Sequence, residues 1–260
     1  MEKNAMIKKN GGEKKADAKV SAAKKANNVI AKGEANAAIA KGAKRNKLII
    51  FDYDGVIVDS YPSVYEVYKI VGTRLNKKIP STFEEFKKIH LESYLKAFEH
   101  IGIISPEEVR LTTEIYAREI IAKNSPIFPG IKEVIEELSK NYILAVVSGT
   151  NKGEVLDKLT RNDIFHLFDF VYAKHDFITN PMKKEGAIEN LVSKLGILKE
   201  DVVLIGDMTS DYFNAKKAGV KKILLVDYGW GYDKEKTPER VKFEVKEPKD
   251  ILLALKKIGF

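Results

Sequence analysis

Five short apolar runs divide the chain, and each ends in polar or turn-forming residues: Leu48–Asp52, Ile143–Val147, Phe170–Ala173, Val202–Ile205 and Ile223–Val226. Short apolar runs bounded by turn residues are typical of buried strands. Between them, apolar residues recur at helical spacing, as at Ile131, Val134, Ile135 and Leu138. Strands that alternate with helices predict an α/β fold, in which helices cover both faces of a parallel sheet.

Residues 61–126 differ from this pattern, because their apolar positions follow helical spacing and no strand pattern interrupts them. Thr82 with Glu85 is a helix start signal, and Ser105 begins another. The segment follows the loop after the first strand, and it ends in a proline- and glycine-rich stretch at residues 125–130 that suits a return linker. The sequence therefore predicts an all-helical cap over residues 61–126, inserted into a core formed by residues 47–60 and 127–260.

Residues 1–46 contrast with the rest of the chain in composition. They hold 12 of the 45 Lys and Arg residues and four of the 37 acidic residues, so they carry a net charge of +8 and leave the remainder neutral. The segment is rich in Ala, Lys, Asn and Gly and contains no aromatic residue. We therefore expect a disordered, basic, low-complexity tail. Attachment to a nucleic acid is the alternative; it would be weak and salt-dependent, because no aromatic side chains accompany the lysines to stack on bases.

Composition excludes several classes of protein. The 260-residue chain has no cysteine, which rules out disulfides, thiolate metal sites and a cysteine nucleophile, and makes the reducing cytoplasm the expected compartment. Its apolar runs are far shorter than the ~20 residues that span a bilayer, so no membrane segment is expected. The amino-terminal residues lack the apolar core of a secretory signal. No pattern in the sequence predicts an oligomeric state.

Acidic and hydroxyl residues directly follow three of the predicted strands: Asp52 and Asp54, then Ser148, then Asp207 and Asp211. Because parallel strands end at one edge of a sheet, these distant residues can meet there. Four carboxylates at one edge would raise each other's pKa unless a cation compensates their charge. Oxygen ligands without histidine or thiolate indicate Mg²⁺ as that cation. Asp211 has an alternative role as the cap of the helix that follows it.

Ser148, Gly149 and Thr150 open the helix that starts near Lys152, where they present a hydroxyl and several backbone amides. Such a turn binds anions. With a cation and a lysine nearby, it suits a phosphoryl group better than a neutral substrate. Each of these short motifs is common as an ordinary turn, so the functional interpretation depends on their order and strand context.

In this order and spacing, the motifs resemble those of the haloacid dehalogenase superfamily. LIIFDYDG matches its opening aspartate motif, LAVVSGT its hydroxyl motif and VVLIGDMTSD its acidic closing motif. The segment NAKKAGVKKILLVDYGWGY resembles the phosphoglycolate phosphatase-like branch, and the resemblance covers roughly residues 47–254. It implies a Rossmann-like core with a helical cap inserted after the first motif.

The resemblance implies a role for each acid that follows the first strand. Asp52 would be the nucleophile that accepts the phosphoryl group as an aspartyl-phosphate. Asp54 would protonate the leaving oxygen and then activate the hydrolytic water. Dehalogenases of the superfamily lack this second acid, so Asp54 favours phosphoryl over carbon–halogen chemistry.

The remaining motif residues would surround the phosphoryl group. Ser148 and the amides of Gly149 and Thr150 would bind its oxygens, and a lysine, either Lys183 or Lys184, would neutralise charge. The family's lysine precedes a helix, but the usual Lys-Pro pair is missing here, so both residues stay open. The implied Mg²⁺ ligands are the side chains of Asp52, Asp207 and Asp211 and the carbonyl of Asp54.

The sequence thus predicts a Mg²⁺-dependent phosphatase that acts on a small phosphorylated metabolite, such as phosphoglycolate, a sugar phosphate or a nucleotide. A phosphomutase of the β-phosphoglucomutase type is one alternative, since GVIVDS after the nucleophile also occurs in that branch. A non-catalytic binding or regulatory protein on the same fold is the other, because a fold alone does not establish activity. The complete set of acids argues against that alternative.

Overall fold

The computed structural model describes residues 45–90, 94–174, 183–237 and 244–260. The compact unit that contains the sheet begins at Arg45. Arg45 belongs to the segment predicted as a disordered tail, yet its guanidinium forms an ion pair with Asp169, at 2.8 Å between Nη2 and Oδ1. The rest of the predicted tail, residues 1–44, lies outside the described residues.

Five parallel strands form one sheet in the order β3-β2-β1-β4-β5. This arrangement confirms the predicted α/β fold class with a Rossmann-like parallel sheet. The first strand along the chain occupies the centre, so the segment that follows it emerges in the middle of the carboxyl edge. The strands are β1 (Leu48–Phe51), β2 (Ile143–Val147), β3 (Phe170–Tyr172), β4 (Val202–Gly206) and β5 (Lys222–Leu225).

The register of the three central strands brings their carboxyl ends level. Phe51 at the end of β1 pairs with Val146 of β2 and with Ile205 of β4. The next residue, Asp52, still donates its backbone N–H to the Ile205 carbonyl, at 2.8 Å. The polar residues that follow each strand therefore leave the sheet side by side.

In the described part of the chain, five helices pack against the sheet. They are α5 (Ile131–Ser139), α6 (Lys152–Arg161), α7 (Lys184–Leu195), α8 (Thr209–Lys217) and α9 (Asp250–Lys257). Helices α5, α6 and α9 pack on one face, where their apolar residues join the odd-numbered side chains of β1, such as Ile49 and Phe51, in one buried cluster. Helix α7 packs against β2 and α8, and α8 packs against β4 and β5.

Between β1 and α5 the chain forms four helices and, within the described residues, no strand: α1 (Tyr61–Leu75), α2 (Phe83–His90), α3 (Tyr94–His100) and α4 (Pro106–Ile121). The predicted helical insertion is therefore confirmed, while the exact domain bounds stay a prediction. Both predicted start signals carry reciprocal capping bonds, Thr82 with Glu85 and Ser105 with Glu108. We call these four helices the insertion.

The insertion has its own buried core of aromatic and aliphatic residues, separate from the sheet's core. Its two connections to the sheet run side by side, because Val58 bridges Ile127 and Asp59 donates its N–H to the Pro126 carbonyl at 2.9 Å. Among the described residues, no helix is long and apolar enough to cross a membrane.

His90 gives the insertion a predictable pH dependence. It is 3% exposed and lies among the rings of Tyr61, Tyr68 and Phe86, and burial lowers the pKa of its imidazole to about 4. Because the unfolded pKa is about 6.5, the stability present above that pH falls by up to about 3 kcal/mol as the pH drops to 4. Urea unfolding should show that His90→Phe gains stability relative to the wild type over this range. A pH-independent difference would contradict the assignment.

Candidate active site

Asp52 occupies the centre of the carboxyl edge and is 9% exposed. Its Oδ1 accepts the backbone N–H of Tyr53 at 2.7 Å. Burial, followed by the negative charge of Asp211, raises the pKa of Asp52 to about 7, although Lys184 acts in the opposite direction. The protein thus keeps a carboxyl group where its ionised form is costly, and such sites are frequent at catalytic centres.

Asp207 and Asp211 lie beside Asp52, at the end of β4 and in the first turn of α8. Carboxylate oxygens of these three residues all lie within 4.8 Å of one another. Burial raises the pKa of Asp207 well above its usual range, and the charges of Asp211 and Asp52 raise it further. The predicted meeting of distant acids at one sheet edge is therefore observed.

Asp211 caps the helix that it opens and also contacts Lys184. Its Oδ2 accepts the backbone N–H groups of Asp207 and Met208, at 3.2 and 3.1 Å, as a residue in the first turn of a helix does. Its Oδ1 accepts the ammonium of Lys184, at 2.6 Å. The capping bonds fix the side chain so that its other oxygen faces the acidic cluster.

The three carboxylates fit a hard divalent cation. Their ligand atoms are all oxygen, and their mutual repulsion favours a compensating positive charge. Asp207 provides the most specific sign, because its Oδ2 accepts the backbone N–H of Trp230 at 2.6 Å while its buried Oδ1 has no hydrogen-bond partner among the residues that the structure describes. A buried carboxylate oxygen without a partner is costly unless a group outside the chain binds it.

Of the two lysines that the sequence left open, the structure brings Lys184 to the acids. Its Nζ lies 2.9 Å from Asp52 Oδ1 and 2.6 Å from Asp211 Oδ1, and its side chain is 16% exposed. Lys183 is exposed at the position before α7. The ammonium of Lys184 therefore lies between the central acid and the helix-capping acid.

Asp54 is held by two hydroxyl groups from different parts of the chain. Ser60, which directly precedes the insertion, donates its Oγ to Asp54 Oδ1 at 2.5 Å, and the hydroxyl of Thr150 donates to Oδ2. Burial raises the pKa of Asp54, and both hydroxyl bonds oppose that rise. The carboxyl group of Asp54 is thus oriented from the insertion side and from the β2 loop at once.

The hydroxyl motif forms a turn directly after β2. Ser148 is buried, and its Oγ accepts the Thr150 N–H at 3.0 Å, while Gly149 lies exposed between them. The Thr150 amide, which the sequence assigned to the phosphoryl group, donates to Ser148 in this structure, and the Thr150 hydroxyl donates to Asp54. Gly149 thus lies at the surface of the turn and Ser148 at its base. The Thr150 hydroxyl connects the turn to Asp54.

The chain matches a known family of enzymes. Residues 49–225 match the model of the haloacid dehalogenase-like hydrolases. The chain belongs to this family. The match confirms the predicted superfamily, and it places the acidic edge of the sheet in an enzyme.

Two curated relatives agree on the type of hydrolase. A phosphorylated carbohydrates phosphatase from Thermotoga maritima is 26% identical over 221 residues, which cover 81% of this chain and 98% of the relative. A phosphoglycolate phosphatase from Synechococcus elongatus is 24% identical over 189 residues, which cover 71% and 84%. These matches confirm the phosphoglycolate phosphatase-like branch and the predicted enzyme class, a phosphatase.

A solved structure agrees on the fold. A haloacid dehalogenase-like hydrolase from Streptococcus pneumoniae superposes with a TM-score of 0.68 at 22% identity, covering 80% of this chain and 97% of its own. At that level of identity the superposition supports the architecture of the hydrolase rather than its substrate.

Sequence reasoning missed two groups that shape the site of this hydrolase. The Ser60 hydroxyl bonds Asp54, and the backbone N–H of Trp230 bonds Asp207. Ser60 offered a weak signal as a hydroxyl residue shortly after the aspartate motif. The Trp230 contact uses a backbone group, which every residue except proline has, so no residue type at that position predicts it.

Gly55 and Gly229 pack directly against Asp207. A Cβ at Gly55, where φ is +75°, would lie 1.9 Å from Asp207 Oδ2, and one at Gly229 would lie 2.4 Å from Asp207 Cβ. Glycine at these positions lets the backbone approach the carboxylate from two sides. The position of Asp207 therefore depends on two residues that carry no side chain.

Substituting Gly55 with alanine should inactivate the enzyme, because Asp207 must move to admit the methyl group. Gly130→Ala is a matched control: φ is +84°, but a Cβ there would meet no atom of the described segments within 4 Å. The control should lose about 1 kcal/mol of stability from its backbone conformation alone and keep wild-type activity. Phosphate release and thermal unfolding of both variants check this, and an active Gly55→Ala enzyme would contradict it.

Proposed function

We propose that the protein is a Mg²⁺-dependent phosphatase that hydrolyses a small phosphomonoester through an aspartyl-phosphate on Asp52. The observation that carries this proposal is the cluster in which Lys184 bridges Asp52 and Asp211 and in which Asp207 lies close by, with a buried Oδ1 that has no partner in the described part of the chain. A cation and a lysine beside one carboxylate suit the approach of an anionic phosphate.

The Mg²⁺ site would use the side chains of Asp52, Asp207 and Asp211 together with the carbonyl of Asp54. When bound, Mg²⁺ would offset the repulsion between the Asp52 carboxylate and the phosphate. Lys184 contributes from the side of Asp211 and opposes the rise in the pKa of Asp52 that burial causes, which favours the ionised form that the nucleophile requires.

In the first step, a carboxylate oxygen of Asp52 forms a bond to phosphorus while the bond from phosphorus to the leaving oxygen breaks. Asp54 supplies the proton that the leaving oxygen takes up, and its burial, which raises its pKa, favours the protonated form beforehand. In the second step, Asp54 accepts a proton from water as the water attacks phosphorus. Inorganic phosphate leaves and the Asp52 carboxylate is restored.

The turn after β2 would bind the transferring phosphoryl group. We propose that Ser148 and the backbone N–H of Gly149 bind its oxygens, and that Thr150 acts mainly through its hydroxyl bond to Asp54. The insertion, proposed as a cap over residues 61–126, would cover the site and exclude water during the first step.

Release of inorganic phosphate from a panel of phosphomonoesters tests the proposal. The panel should contain phosphoglycolate and several sugar phosphates, since relatives are named for these two substrate classes. We expect release that requires Mg²⁺ and stops with a chelator. Phosphate that moves to another position on the substrate instead of entering solution would indicate a mutase, and no turnover of any ester by the folded protein would contradict the proposal.

The role of Asp54 predicts a dependence on the leaving group. Asp54→Asn should lower kcat/KM by about 10²- to 10⁴-fold for an alkyl phosphate, whose leaving alkoxide needs a proton. The loss should be much smaller for p-nitrophenyl phosphate, whose leaving group departs without one. The ratio kcat/KM isolates this step, because it reports events up to phosphoenzyme formation.

Asp157→Asn is the control for the Asp54 variant, since Asp157 is an exposed acid on α6 that pairs with Arg161. It should behave as the wild type with both esters. An equal loss of kcat/KM with both esters in Asp54→Asn would contradict the role of Asp54 as the acid that protonates the leaving oxygen.

A further inference from the structure

Trp230, the chain's single tryptophan, lies in the loop after β5 and contacts the proposed cation site through its backbone. Its N–H donates to Asp207 Oδ2 at 2.6 Å. The preceding residue, Gly229, lies so close to Asp207 that it has no room for a Cβ. A shift of this loop therefore either breaks the hydrogen bond that holds the Asp207 carboxylate or pushes against the Asp207 side chain.

The same loop contacts the insertion through its side chains and a carbonyl group. The Trp230 ring lies 4.6 Å from the ring of Tyr61 in α1 and 6.2 Å from that of His90 in α2, measured between centroids. Lys87 of α2 donates its ammonium to the Gly229 carbonyl at 3.0 Å. Two helices of the insertion thus touch the loop that holds Asp207.

This contact between the loop and the insertion is packed but incompletely hydrogen-bonded. Trp230 Nε1, Tyr61 Oη and His90 Nε2 are buried, and within the described residues none of the three has a partner. Each buried polar atom without a partner costs about 1–3 kcal/mol relative to a state in which water reaches it. The contact is therefore typical of an interface that forms and separates, and not of a permanently packed core.

We propose that Trp230 is a positioning residue that couples docking of the insertion to the orientation of Asp207, and thereby to Mg²⁺ affinity. The docked insertion holds the indole ring, the ring fixes the loop, and the loop's N–H fixes the carboxylate. This inference rests on the proposed function, because it takes Asp207 as a Mg²⁺ ligand. By linkage, Mg²⁺ should in turn favour the docked insertion.

Binding of Mg²⁺ alone to the substrate-free protein provides the test, measured by titration calorimetry. Trp230→Ala keeps the backbone N–H but loses the ring, and it should weaken Mg²⁺ binding about tenfold. Trp230→Phe keeps a ring against Tyr61 and should stay within about twofold of the wild type. In the wild type, tryptophan fluorescence should change with the same Mg²⁺ dependence as the heat.

Lys87→Met is the second variant, because it breaks the contact from the insertion side and leaves Trp230 and Asp207 unchanged. It should also weaken Mg²⁺ binding by several fold, and hydrogen exchange in α2 should slow on Mg²⁺ addition in the wild type but not in this variant. Both substitutions lie outside the ligand set, so their effect on Mg²⁺ is indirect.

Wild-type Mg²⁺ affinity in both Trp230→Ala and Lys87→Met would overturn the coupling while leaving the proposed function intact. A wild-type protein that binds no Mg²⁺ would overturn the proposed function and this inference together. If Trp230→Ala does not fold, Lys87→Met decides between these outcomes.

Discussion

Replacing Asp52 with asparagine should abolish phosphate release while the protein stays folded. An amide cannot form the bond to phosphorus that the proposed first step requires, so we expect a loss of about four orders of magnitude or more in kcat/KM. Phosphate release from the preferred ester, with Mg²⁺ present, measures the loss. Activity in Asp52→Asn within a factor of ten of the wild type would show that another residue or water attacks the phosphate.

The same substitution should stabilise the Mg²⁺-free protein at alkaline pH. The folded pKa of Asp52, about 7, lies above its unfolded value of 3.8, so this carboxyl group costs the wild type stability as the pH rises from about 4 through 7. The amide has no such cost, and the variant should gain on the order of 2 kcal/mol at pH 8. Urea unfolding with a chelator at pH 5 and pH 8 checks this, and a destabilised variant at pH 8 would contradict it.

Replacing Lys184 with methionine should have the largest effect on stability. The ammonium is the cation that contacts both Asp52 and Asp211, and its removal leaves buried carboxylates without compensation. Breaking a buried pair from one side typically costs 3–5 kcal/mol. Activity should fall as well, because Asp52 is then harder to ionise.

Lys183→Met is the matched control, since it removes the same charge from the adjacent, exposed residue. Its stability and activity should stay close to those of the wild type. Added Mg²⁺ should restore part of the stability of Lys184→Met, because the cation also compensates the acids. Equal effects of the two substitutions would contradict the assignment of Lys184.

The position of the acids could be predicted because it depends on the sheet alone. Apolar runs closed by Asp52, Ser148 and Asp207 defined three strand ends, and parallel strands share their carboxyl edge. Only the strand order remained to be observed, and it places β1 between β2 and β4. Functional residues that lie at the ends of strands can thus be predicted from a single sequence.

The choice between Lys183 and Lys184 could not be made in the same way. Adjacent residues at the start of a helix differ by about 100° in direction, and the helix register depends on packing that spacing alone does not reveal. The structure sets this register by burying Ala187, Ile188 and Leu191 of α7. Lys184 then reaches the acids.

Contacts made by backbone groups, and contacts that depend on a close approach of the backbone, also could not be predicted from the sequence. Asp207 is held by the N–H of Trp230, 23 residues further along the chain, and is flanked by Gly55 and Gly229. In the sequence, Trp230 appears only as part of the segment that resembles the phosphoglycolate phosphatase-like branch. Its contact with Asp207 depends on how the loop after β5 folds back to the end of β4.

Trapping the phosphoenzyme tests the central claim most directly. The wild-type protein, turning over its preferred ester with Mg²⁺, is quenched rapidly in acid and digested, and the peptides are examined by mass spectrometry. The mechanism predicts a phosphoryl group on the peptide that contains residue 52, located at Asp52 and absent when Mg²⁺ is removed. Steady turnover with no phosphorylated peptide, or with the phosphoryl group on a different residue, would contradict nucleophilic attack by Asp52.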